Sequence, residues 1–325
     1  MASDPFSDLA VLKIEASGLK TIPLSQEPLR KGQIVIALGN PNAIARDGQA
    51  SASWGIISNT NRFAPRERDQ GPSDSVHQMG TLIQTDIRSP IGTSGGALIN
   101  WRGHLVGITT NLLASPGTEQ SAGLAIATDE FFQRIIEVLK QGRQPEFGFL
   151  GIQPENLRLT ELERGLAGAR INQVIPGLPG NQAGLREGDI IFQVAGKPVR
   201  SRNDLFRELS KIPTGTKVPL EIQRLRGGNW QAMSIEAELA KKYLATNRPS
   251  FSLNGPPIWR GAQVEYFSAI AGDLERITIL RGGPKVALLN VVPDSPVWRA
   301  GLRAGYGLVS LNGQAIQTPE QFHEL

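Results

Sequence analysis

The chain has 325 residues, 40% of them hydrophobic, which is enough for two or three domains with a core each. Its 34 basic residues face 30 acidic ones, and the mixed signs of RFAPRERDQ (Arg62 to Gln70) read as solvated loop rather than a nucleic-acid patch. With no cysteine, disulfides, zinc–thiolate sites and cysteine nucleophiles are excluded, and no apolar run approaches a membrane span.

The N-terminal stretch MASDPFSDLAVLKI lacks a basic region followed by a long apolar core, so it does not read as a signal peptide. A strand-like run, Leu9 to Ile14, begins almost at once, as if the chain entered a domain in mid-fold. From there to about residue 127, LAVLKI, QIVIALGNP, SASWGIIS, GTLIQTD, GGALIN, HLVGITT and SAGLAIA read as strands. Pro41 and Asn42 break one run, and SPGTEQ (Ser115 to Gln120) marks a loop. The pattern predicts a mainly β barrel or sandwich.

The period then changes to helical. TDEFFQRIIEVLKQG spaces Phe131, Phe132, Ile135, Ile136, Val138 and Leu139 along one face. Thr128 is the expected N-cap, Asp129 and Glu130 suit the first-turn dipole, and Gly142 is the expected stop. RQPEFG (Arg143 to Gly148) reads as a linker.

The remainder contains a repeat. A shift of 117 lays Val174 on Val291, Pro176 on Pro293, Ala183-Gly184-Leu185 on Ala300-Gly301-Leu302, Gly188 on Gly305 and Gly196 on Gly313. Two copies at this period suit a duplicated module better than a solenoid. Between them, Lys241 to Gly261 reads as a linker. The second copy reaches Leu325 with too few residues to match the helix and last strands of the first.

Ser94 lies in GTSGGALIN (Gly92 to Asn100). A serine hydroxyl attacks only when a base takes its proton and a third group orients that base, and the oxyanion formed needs fixed backbone donors. Gly92 permits backbone angles that turn amides inward, while Gly95 and Gly96 leave room for substrate and close strand packing. From this stretch alone, a flexible Gly-Ser turn is an equal alternative.

TDIRSPIGTSGGALINWRGHLVGITT (Thr85 to Thr110) resembles the nucleophile region of trypsin-like proteases of the HtrA (DegP-like) family. SDLAVLKI (Ser7 to Ile14) is similar to the family strand that carries the triad aspartate; IALGNP, GIIS and GLAIA follow in the family's order. The two repeats resemble PDZ modules. The resemblance implies a mainly β chain: a trypsin-like (chymotrypsin-fold) barrel domain over 1–142 lacking most of its first barrel, an α+β PDZ module over 148–240 and an incomplete one over 258–325.

It further implies Ser94 as nucleophile, Asp8 as triad acid with Asp4 as competitor, and the amides of Gly92, Thr93 and Ser94 as oxyanion hole. Thr93 stands where asparagine is more usual. The family's histidine lies upstream of the aspartate. Only seven residues precede Asp8, and His77 (polar loop), His104 (turn) and His323 (last module) match no motif for it. A misplaced gene start, a fragment and a catalytically dead remnant are the three explanations. Arg88, Ser89, Pro90 and Ile91 would wall the S1 pocket, and the absence of an obvious acid there points to a small or medium apolar P1 residue.

FLGI (Phe149, Leu150, Gly151, Ile152) resembles the PDZ carboxylate-binding loop, and Ser201 to Ile212 would be the groove helix, with Ser201 and Asp204 as a capping box. On it, Leu205 and Leu209 face either the groove or the core. In the second module WRGAQV takes the loop's place and Tyr306 replaces Asp189. The expectation is an endopeptidase for unfolded or misfolded proteins, with a non-catalytic peptide-binding or chaperone-like remnant as alternative. No metal or cofactor is implied. Peptide C-termini and unfolded chains are the expected partners, and family resemblance implies a trimer-based homo-oligomer in a periplasmic or extracytoplasmic compartment.

Overall fold

The computed structural model describes residues 1–41, 46–64, 75–88, 92–110, 123–244, 249–270 and 283–325. Contacts divide it into two units, Met1–Pro145 with Thr246–Leu253, and Glu146–Ala245 with Asn254–Leu325. Asn42, SPGTEQ and the part of RFAPRERDQ beyond Ala64 lie outside the described residues.

The first unit opens with a hairpin, β1 (Ala2–Asp4) and β2 (Leu9–Val11). It continues with β3 (Ile34–Gly39), β4 (Ser51–Arg62), β5 (Leu82–Thr85), β6 (Ala97–Asn100), β7 (Leu105–Thr110) and β8 (Gly123–Ala127). Strands β3 to β8 close into an antiparallel barrel in the order β3-β4-β5-β8-β7-β6. Alternate residues fill it: Val35, Ile57, Ile83, Leu98, Val106 and Ala125 form one buried cluster. A closed barrel pairs every backbone edge, which turns short alternating runs into a stable sheet.

The predicted run Leu9 to Ile14 is shorter than expected. Strand β2 ends at Val11, and Leu12 and Ile14 are 82% and 64% exposed. Strand β1 offers it only three register partners, and a strand extends no further than its pairing. On the other edge of β1 lie Phe251–Ser252, with Ala2 opposite Ser252. Helix α1 (Glu130–Lys140) covers this hairpin with a buried stripe of Phe131, Phe132, Ile135 and Leu139. Its cap is Asp129, not Thr128: the Asp129 carboxylate accepts from the Phe132 amide at 3.0 Å, while Thr128 Oγ1 donates to the Leu105 carbonyl at 3.1 Å. Gly142, at φ 71°, follows the last turn.

In the second unit, β9 (Gly148–Phe149), β10 (Ile152–Asn156), α2 (Leu159–Leu162), β11 (Ala169–Val174), α3 (Pro179–Gln182), β12 (Ile190–Val194), β13 (Lys197–Pro198), α4 (Arg202–Ser210), β14 (Lys217–Arg226) and β15 (Asn229–Glu238) build the first repeat. The sheet runs β10-β11-β12-β14-β15, and its core joins Ile171, Ile191, Leu220 and Ile222 to α4.

The second repeat copies its turns bond for bond. The Ile175 amide donates to the Gly151 carbonyl at 2.9 Å, and 117 residues on Val292 donates to Gly261 at 2.8 Å. Gly188 donates to Ile171, and Gly305 to Leu288, both at 2.8 Å. Ser201 caps α4 by accepting from the Asp204 amide, as Thr318 caps Pro319–Glu324 by accepting from Gln321. The second repeat therefore does contain a counterpart of the first two turns of α4, against expectation. In both caps the third helical side chain accepts from the residue before the cap: Asp204 from the Arg200 amide, Gln321 from Gln317. This shifts the expected box by one residue, since Asp204 does not bond the Ser201 amide in that pattern.

Candidate functional site

The end of β7 holds two elements from opposite parts of the first unit. Thr109 Oγ1 donates to the Thr93 carbonyl, and the backbones of Thr109 and Gly96 bond at 2.9 Å. The Gly95 amide donates to the Thr109 carbonyl at 2.8 Å. These bonds fix the turn around Ser94, whose side chain is exposed. The next residue, Thr110, donates its hydroxyl to Asp8 Oδ2 at 3.2 Å. Adjacent threonines thus tie down the Ser94 turn and Asp8 together.

The glycines of the turn differ in purpose. Gly92 and Gly95 take φ values of 93° and 83°, which an L side chain rarely adopts. A Cβ on Gly96 would stand 2.2 Å from the Leu38 carbonyl oxygen, so this position is closed to any other residue. Among the described residues, no backbone carbonyl accepts from the amides of Gly92 or Ser94.

Asp4 and Asp8 are separated by environment. Asp4 is 4% exposed, and its carboxylate accepts from Ser7 Oγ at 2.5 Å and the Ser7 amide at 3.0 Å. Burial pushes its pKa above the usual carboxylate range, against the Ser7 and Phe6 hydrogen bonds and the charge of Arg134. It folds the β1–β2 turn. Asp8 emerges from that turn exposed, at φ 57°, a conformation aspartate tolerates better than most residues.

His77 is 1% exposed within a single turn, Val76–Met79, rather than in a polar loop. Its Nδ1 lies 2.8 Å from Thr81 Oγ1 and its Nε2 2.8 Å from the Ser7 carbonyl, so both ring nitrogens are engaged beside the turn that presents Asp8. His104 sits in the turn between β6 and β7, and His323 in Pro319–Glu324. Of the expected S1 wall, Ser89, Pro90 and Ile91 lie outside the described residues.

In the first repeat, β10 is an edge strand with helix α4 alongside. Gly151 turns the chain into it at φ 72°, where a Cβ would meet Leu178 Cβ at 2.3 Å. Among the described residues, the Leu150 and Gly151 amides donate to no backbone carbonyl. An unpaired edge beginning at free amides has the geometry to receive an extended peptide with its carboxylate at Gly151.

A family model described as a trypsin-like peptidase domain matches residues 1–108, and one described as a PDZ domain matches residues 170–224. The chain is 30% identical over 334 residues to the probable periplasmic serine endoprotease DegP-like of Pseudomonas fulva, covering all of this chain and 65% of that protein. It is 28% identical over 332 residues to the periplasmic serine endoprotease DegP of Salmonella typhimurium, covering all of this chain and 62% of that one. It thus spans a little under two thirds of these curated relatives. Among solved structures, the HtrA-type protease AlgW with tripeptide matches with a TM-score of 0.56 at 27% identity, over 76% of this chain and 79% of that one.

The chain belongs to the HtrA family.

Within that family frame, two neighbours of the turn that presents Asp8 carry no local signal in the sequence. Thr110 lies 102 residues from Asp8, and a threonine ending a strand looks like an ordinary β-former. His77 carries no sequence signal of burial among its polar neighbours. Leu205 and Leu209, expected to face either the groove or the core, both lie in the core under the sheet. They are 0% and 4% exposed.

Proposed function

We propose that this chain carries the nucleophile of a serine endopeptidase that cleaves unfolded or misfolded polypeptides. Ser94 is the nucleophile, Asp8 the triad acid, and the amides of Gly92, Thr93 and Ser94 the oxyanion hole. The observation that carries this reading is the pair Thr109 and Thr110, which hold the Ser94 turn and Asp8 from consecutive positions of β7. In the reaction, Ser94 Oγ attacks the scissile carbonyl as its proton passes to a histidine that Asp8 orients, and the turn amides take the negative oxygen. His77 has both nitrogens engaged, and His104 and His323 lie on other elements, so the base in this proposal belongs to a segment outside the 325 residues.

The proposed partition is 1–142 for the protease domain, 148–240 for a PDZ module that receives apolar peptide C-termini at Phe149, Leu150, Gly151 and Ile152, and 258–325 for a second module. The names of the relatives support an extracytoplasmic location. Family resemblance alone supports a trimer-based homo-oligomer. The placement of the three histidines favours a second reading, peptide binding without catalysis.

Casein hydrolysis by the purified 325-residue chain, its Ser94→Ala variant and a version extended upstream separates these. Expected are near silence from the first two and Ser94-dependent cleavage by the third. Robust cleavage by the 325-residue chain that vanishes in Ser94→Ala overturns the assignment of the base. Silence of the extended chain establishes the second reading.

A further inference from the structure

The first repeat contains a cleft of about 450 Å³, lined by neither Ser94 and Asp8 nor the Phe149–Ile152 loop. Six arginines and three acidic residues border it, a formal excess of three positive charges. Five of the arginines fall into two tiers, and the sixth, Arg158, is exposed and lies 4.0 Å from Glu155. Arg224 is locked onto Asp189 by bonds of 2.7 and 2.6 Å and also donates to the Gly184 carbonyl at 2.8 Å. Arg170 bonds Glu155 at 2.7 Å and approaches Glu161 at 3.2 Å. These two are largely buried, neutralised and fixed, and they form a rigid base.

The outer tier is different. Arg164 follows α2, Arg186 lies in the turn before β12, and Arg226 ends β14. All three are exposed, and among the described residues none has a side-chain hydrogen bond or ion pair. Three elements thus present three uncompensated guanidinium groups around one concavity. Beside them the Trp230 Nε1–H is buried with no acceptor among the described residues. Mutual repulsion disfavours such a cluster unless an anion offsets it, and water alone satisfies it less well than a multidentate acceptor.

We infer that this cleft binds a compact multivalent phosphate anion, held by Arg164, Arg186 and Arg226. Guanidinium forks donate in pairs to phosphate oxygens, and a chain of phosphates offers oxygens on all sides, whereas a lone carboxylate offers two in one plane. The volume suits a small molecule or headgroup. Arg170 and Arg224 are already committed to carboxylates and supply background potential rather than ligands. Glu187, exposed at the rim and without a side-chain partner among the described residues, opposes binding.

The test is calorimetric titration of sodium tripolyphosphate into the full 325-residue chain. Expected is saturable binding that weakens with salt, falls at least about tenfold in R186Q/R226Q, and tightens about threefold or more in Glu187→Gln. Thermal midpoints and far-ultraviolet spectra establish that the variants are folded; because Glu187→Gln predicts a gain, a folding defect cannot mimic it. No saturable binding up to about 1 mM at near-physiological salt, equal affinity in R186Q/R226Q, or weaker binding in Glu187→Gln overturns the proposal. Phosphatidylcholine vesicles with and without phosphatidic acid assign the source. Displacement of tripolyphosphate only by the acidic vesicles identifies a lipid phosphate headgroup, and retention against both identifies a soluble oligophosphate.

Discussion

Thr110 Oγ1 donates to Asp8 Oδ2 at 3.2 Å, joining the end of β7 to the hairpin that presents Asp8. Thr110 is 3% exposed, so its hydroxyl has few alternatives to this bond. Replacing Thr110 with valine should destabilise the first unit by about 0.5–1.5 kcal/mol. In a double-mutant cycle with Asp8→Ala, urea unfolding should return a coupling of similar size. Additive effects would show that the contact contributes nothing.

Gly151 and Gly165 both have positive φ, 72° and 77°, but only Gly151 is crowded, with Leu178 at 2.3 Å from its would-be Cβ. Gly165→Ala should cost about 1–2 kcal/mol through backbone conformation alone. Gly151→Ala adds a clash and moves the loop amides. Binding of a free-acid C-terminal peptide should fall at least about tenfold, with little change in Gly165→Ala. The wild-type chain should also prefer free-acid over C-terminally amidated peptides; equal binding of the two would exclude a carboxylate role for this loop.

Asp189 is 1% exposed and paired with Arg224, whose pKa is raised, first by this hydrogen bond. It also accepts from the Arg186 amide at 2.8 Å. Asp189→Ala strands a buried guanidinium and an amide, and should cost about 3–5 kcal/mol. Chemical denaturation of the second unit reads this directly. The second repeat has Tyr306 at this position, and the backbone bonds survive there: Tyr306 donates to Arg303 as Asp189 donates to Arg186, both at 3.2 Å. The ion pair is thus an addition to a turn that the backbone already specifies.

Asp4 supplies a pH signature. Its folded pKa lies above the unfolded value of about 3.9, so its stabilising contribution is full below about pH 3.9 and is lost as pH rises through the folded pKa. Asp4→Asn has no such dependence. In thermal melts from about pH 3 to about pH 7, wild type should lose ground to Asp4→Asn as pH rises. A difference that is flat, or of opposite slope, would rule out an unfavourably buried carboxylate.

The barrel strands were legible because each alternates over a few residues between turn signals, and closure then supplies the partners. Ser94, Asp8 and the FLGI loop stand out in the sequence as candidates because their motifs are local. Thr110 and His77 do not, since their partners lie 102 and 70 residues away and a hydroxyl or an imidazole gives no periodic signal. The spacing of Leu205 and Leu209 defined one face of α4 but could not say which surface that face meets. Thr128 lost the cap to Asp129 because its hydroxyl found the Leu105 carbonyl, a choice only the folded barrel offers.

Phe251–Ser252 pairs with β1, so the first unit draws a strand from far along the chain. The Gln144 amide secures this join by donating to the carbonyls of both Ser3 and Phe251. A fragment cut at Pro145 would therefore leave the Asp8 hairpin as a two-stranded ribbon with an open edge. Such ribbons are marginal in water, and an unpaired edge templates pairing with other copies. Expressed alone, the 1–145 fragment should clump where the full chain stays dispersed, and a version carrying residues 246–253 on a fused linker should recover.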